Sequence, residues 1–98
     1  MTTIKNAITE LKKKKLRVIG CKESKRFYIF DVTPLRWDGT GGRPCGGEIP
    51  CLNKKTNEIE TMHADEYVDL ILDEGAPKNV DIMQYLDAED VKFLKEAV

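Results

Sequence analysis

The sequence predicts an α+β domain: a four-stranded antiparallel sheet, with an N-terminal helix and C-terminal helices packed on one face. Three observations predict it. Apolar residues recur at helical spacing near the start and again in the last third of the chain. Between them lie runs rich in β-branched and aromatic residues, bounded by turn residues. Strands and helices are segregated along the chain, whereas a parallel sheet would need them to alternate. With 98 residues the chain has room for one domain, 1–98, and one modest core.

The opening is amphipathic. Ile4, Ala7, Ile8 and Leu11 repeat at the 3.6-residue period, and Thr2 or Thr3 is placed to cap the helix. Its last turn runs into Lys12 to Lys15, where cations complement the negative end of the helix dipole. Leu16 to Cys21 and Arg26 to Thr33 read as paired strands. The second is nearly continuous in Phe27, Tyr28, Ile29, Phe30 and Val32, the pattern of a central strand buried on both faces.

Ile49 to Leu52 and Ile59 to His63 read as a hairpin around 53–57, with Asn57 tolerating the left-handed backbone that closes the turn. Alternation turns Glu58 and Glu60 to water, with Ile59, Thr61 and His63 on the other side. A second helix runs from Asp65 to Glu74, with Tyr67, Val68, Ile71 and Leu72 as its apolar stripe and Gly75 past its end. Gly75-Ala76-Pro77 reads as a break, followed by a helical turn within 81–86. The last helix starts at Asp87, a capping residue, with Asp90 at the third helical position; Val91, Leu94 and Val98 form its stripe, and Phe93 and Ala97 flank it.

Charge is unevenly distributed. Residues 1–49 carry 11 Lys and Arg against 5 Asp and Glu, while residues 50–98 carry 5 against 12. Basic and acidic faces of this kind steer encounters more than they fix folds. No apolar run reaches the ~18 residues of a membrane span, and the N-terminus has the wrong order of charged and apolar residues for a secretory signal. Three cysteines, Cys21, Cys45 and Cys51, carry no disulfide framework spacing. The expectation is a soluble cytoplasmic protein with free thiols and no membrane partner. The lysine run lacks interleaved aromatics for base stacking, so nucleic acid is not the expected partner.

Five of the seven glycines fall in the loop 34–47, beside Trp37, Arg36, Arg43 and Cys45. Ordering so many glycines costs entropy, and long loops in small domains tend to be functional or disordered. Trp37 reads as a plug over the sheet or as a contact anchor; tryptophan and arginine are enriched at interface hot spots. The glycine run lacks the Gly-Lys-Ser/Thr ending of a phosphate loop and leads into a strand, though its amides and Arg43 are the makings of an anion nest. Cys45, Cys51 and His63 lack the spacing and fourth ligand of a zinc site, so no metal or other cofactor is expected. Cys45 as nucleophile with His63 as base is the enzymatic alternative; Cys51 reads as core. The carboxylates Asp65, Glu66, Asp69, Asp73 and Glu74 read as a solvated helix surface or an acidic docking face.

The runs GGEIPCLNKKTNEIETM and DEYVDLILDEG, with Gly47, Pro50, Asn53, Lys54, Thr56 and Glu58, resemble a segment of the small bacterial immunity proteins related to YrhB. Glu48 stands where that pattern has Asn, and Asn57 where it has a turn glycine. The resemblance covers residues 47–75. It implies a non-catalytic α+β domain that neutralises a bacterial toxin by binding it.

The expected function is therefore a non-catalytic binding protein that occludes a macromolecular partner, a protein, with its oligomeric state open. Its expected contact residues are Arg36, Trp37 and Arg43 on the loop and Asp65, Glu66 and Asp69 on the acidic helix. The alternatives are a phage-encoded inhibitor of a host enzyme or defence system, and a small enzyme using Cys45 and His63.

Overall fold

The computed structural model describes residues 4–35 and 48–97. The elements run α1 (Ile4–Lys13), β1 (Leu16–Glu23), β2 (Phe27–Pro34), β3 (Glu48–Asn53), β4 (Ile59–His63), α2 (Ala64–Glu74), β5 (Lys78–Val80), a 3-10 turn (Met83–Tyr85) and α3 (Ala88–Ala97). The proposed caps Thr2 and Thr3, and Val98, lie outside the described residues.

The strands form one antiparallel sheet in the order β4-β3-β2-β1-β5. Among the described residues it has five strands, not four. Lys78–Val80 pairs with Cys21–Glu23 along the edge of β1. Three residues straight after Pro77 carry too little pattern to announce a strand; the neighbouring edge defines them. β2 occupies the middle, as its apolar continuity requires, with Ile29 and Phe30 both buried and facing opposite ways.

Turn chemistry sets the hairpins. Between β1 and β2, the Ser24 amide donates to the Phe27 carbonyl at 2.8 Å, and the Ser24 hydroxyl accepts from the Phe27 amide at 3.0 Å. Between β3 and β4, Asn53 Oδ1 accepts from the amides of Lys55 and Thr56. Asn57 follows at φ 60, the left-handed conformation expected of it. The β2–β3 ladder stops at Ile29–Cys51, one residue short of Pro50, which has no amide to donate.

Helices cover both faces of the sheet, contrary to the single covered face expected. Ile4, Ala7, Ile8 and Leu11 of α1 are all buried, with Val18, Cys21, Phe30, Leu52 and Ile82. Ile29, Cys51, Met62 and Leu70 form a separate cluster beneath α2, joined by Phe27, Ile49 and Tyr67. Adjacent residues of β2 thus feed different cores, and each half-apolar face needs its own cover. A register shift between Val18 and Gly20 lets Val18 and Cys21, three apart, share the α1 side. Glu58 and Glu60 are exposed as expected, but so are Thr61 and His63; Met62, on the Glu60 side of β4, is the buried residue.

α3 begins as predicted, with Asp87 Oδ1 accepting from the Asp90 amide at 2.9 Å. Val91, Phe93 and Leu94 are only half-buried, whereas Asp90 is 1% exposed. The Arg17 Nε donates to Asp90 Oδ1 at 3.1 Å, and the guanidinium carbon lies 4.1 Å from the Phe93 ring centre. Lys12 reaches Asp87 at 2.8 Å and Asp90 at 3.4 Å, so the first lysine of the run is an internal tie.

Candidate functional site

Arg36, Trp37, Arg43 and Cys45 lie outside the described residues, as do the glycine run and its anion nest. The remaining expected contact residues, Asp65, Glu66 and Asp69, share α2 and are all exposed. α2 follows β4 without an intervening loop. The Glu66 carboxylate accepts from the His63 amide at 3.3 Å, and Asp65 and Glu66 sit in the first turn, where the helix dipole favours anions. At the other end Gly75 adopts φ 85, and its amide donates to the Ile71 carbonyl at 2.8 Å.

The inward side of α2 consists of buried Leu70 with half-buried Tyr67, Ile71 and Glu74. These fall at i, i+3, i+4 and i+7. Glu74, with its side chain only 7% exposed, accepts from the Lys25 amide at 2.8 Å and from the Arg26 guanidinium. Burial opposes its charge, yet the bonds from Arg26 and Lys25 prevail and hold its carboxyl below the usual range.

Val68 and Leu72, read from the sequence as part of the buried stripe, are instead 53% and 80% exposed. The signal that would have found them is surplus. Tyr67, Val68, Leu70, Ile71 and Leu72 span more of the helix circumference than one sheet face can cover.

The rim of this patch is acidic. α2 holds five carboxylates and neither Lys nor Arg. Arg26 engages Asp73 at 3.3 Å as well as Glu74. Asp65 and Asp69 have no cation within ion-pair distance among the described residues. Beside α2 an open groove of about 540 Å³ runs over the sheet, lined by Lys22, Ile29, Asp31, Ile49 and Tyr67 among others.

The thiols within the described residues are poor nucleophiles. Cys51 is 1% exposed, its sulfur 3.5 Å from the Glu60 carbonyl, and burial pushes its thiol up to about 11. Burial, with the Glu23 charge, pushes Cys21 to about 11 as well. His63 is exposed at the junction of β4 and α2. Among the described residues no three His, Cys, Asp or Glu side chains converge as metal ligands. No described helix is long and apolar enough to cross a membrane. Comparison with family models, curated proteins and solved structures returns no match for this chain.

Proposed function

We propose that this chain is a non-catalytic binding protein that occludes a macromolecular partner, in the manner of an immunity protein, and that α2 is its contact face. One observation carries the reading: Leu72 and Val68, one helical turn apart, stand out into solvent beside an exposed row of aspartates, Asp65, Asp69 and Asp73. Single exposed aliphatics are ordinary, but an adjacent pair flanked by a row of one-signed charge has the makings of a small interface centre. Burying apolar surface yields about 25 cal/mol per Å². The carboxylates select a cationic partner and speed its approach. Arg36, Trp37 and Arg43 belong to the same proposal as a second contact element.

The test is capture of the native partner from host lysate by wild-type protein and by the Leu72→Ala and Asp69→Lys variants. Leu72 is outside both cores, so its variant should fold normally by circular dichroism. The expected result is a protein retained by the wild type, bound about tenfold more weakly by Leu72→Ala and more weakly still by Asp69→Lys. A partner held equally well by all three would remove α2 from the interface.

A further inference from the structure

We infer that the α2 face receives an α-helix whose exposed surface carries an apolar row beside a row of Lys or Arg. This rests on the reading of α2 as the contact face and names the kind of partner that fits it. Residues four apart on a helix line up in ridges, rising about 6 Å per step. Two adjacent ridges of α2 differ sharply in character. Ala64, Val68 and Leu72 form one, exposed at all three positions. Asp65, Asp69 and Asp73 form the next, also exposed throughout.

An apolar ridge alone would be indifferent to what lies beside it. A parallel ridge of carboxylates at the same pitch calls for cations at that pitch, which Lys or Arg at i and i+4 of a partner helix supply. Because Arg26 already occupies Asp73, Asp65 and Asp69 are the carboxylates left for the partner. The apolar ridge rises in size from Ala64 through Val68 to Leu72, so large partner side chains fit at the Ala64 end and small ones at the Leu72 end.

Neither α2 nor α1 of a second copy meets these requirements. Opposing two α2 faces sets aspartate rows against each other. The basic helix α1 has its apolar residues Ile4, Ala7, Ile8 and Leu11 buried in its own core, leaving no apolar row to offer. Nucleic acid is repelled by the same carboxylates.

The probe is a fluorescent synthetic helix of about 20 residues, long enough to hold helical structure. It is Ala-based, with graded Leu and Ala along one i, i+4 row and Lys along the next. Two controls accompany it: the same composition with both rows dispersed, and a version with Glu in the Lys row. Anisotropy titrations should show the row peptide binding about tenfold more tightly than the dispersed one. The Asp65→Lys/Asp69→Lys variant should lose the Lys-row peptide and gain the Glu-row peptide. Equal binding of row and dispersed peptides, no binding of either, or failure of the charge reversal to switch preference would overturn the inference. If it fails while Leu72→Ala still releases the native partner, the contact face stands with a different occupant. If native capture is also unaffected, the contact face itself is wrong.

Discussion

Glu74 and Leu72 exchange the places their chemistry would assign them: the carboxylate points in and the aliphatic points out. The exchange is tolerable because Glu74 is met by a backbone amide and a guanidinium, so its charge is not buried unpaired. No comparable partner awaits Leu72. The cysteines show the complementary case, in which burial silences chemistry the residue type would permit. In a Cys45→Ala background, Cys21 and Cys51 should react with a thiol reagent at neutral pH only as fast as the protein opens. Labelling that follows added denaturant, in step with unfolding by fluorescence, would agree. Rapid stoichiometric labelling of the native protein would contradict their assignment to the two cores.

At the scale of elements, α3 is attached differently from the other helices. α1 is held by four buried apolar side chains, and α2 by one with half-buried flanks. α3 docks through Arg17 and Asp90, whose side chains are 8% and 2% exposed, with Phe93 beside the guanidinium. Removing Asp90 takes away the buried carboxylate and leaves Arg17, only 8% exposed, with the exposed Glu89 at 3.5 Å as its remaining ion-pair partner among the described residues. Asp90→Ala should therefore cost about 3 kcal/mol in urea unfolding, and the double variant Arg17→Met/Asp90→Leu should recover most of it. A cost below about 1 kcal/mol for the single variant would show that the pair is solvated. The N-terminal capping of α3 by Asp87 was legible because a cap is a contact within one turn. The burial of Asp90 was not, since its partner Arg17 lies 73 positions away.

Across the whole molecule, the Lys12–Asp87 contact ties α1 to the start of α3 over a separation of 75 residues. The Lys12 hydrogen bond, followed by the Asp90 amide, holds the Asp87 carboxyl below the usual range. A carboxyl depressed in the folded state stabilises it above the ordinary aspartate pKa, near 3.9, and loses that contribution as pH falls through the folded value. Asp87 is 56% exposed, so the effect should be modest. Wild type should exceed Asp87→Asn in unfolding midpoint at pH 7, and the two should converge below about pH 3. A difference that persists unchanged into acid would mean that the charge on Asp87 is not what ties α1 to the start of α3.

What the amino-acid order determined by itself lay in patterns spanning about four residues: the buried side of α1, the left-handed Asn57, the stop at Gly75, the cap at Asp87 and the exposure of Asp65, Glu66 and Asp69. Periodicity states that a helix has an apolar side and leaves open how far it is rotated and what covers it. Rotation of α2, which put Val68 and Leu72 into solvent, accompanies the bonding of Glu74 to Lys25 and Arg26, 49 and 48 positions earlier. The fifth strand and the division of helices between two faces were likewise settled only when distant segments met. Such contacts compete for the same sheet surface, and no local pattern records which of them wins.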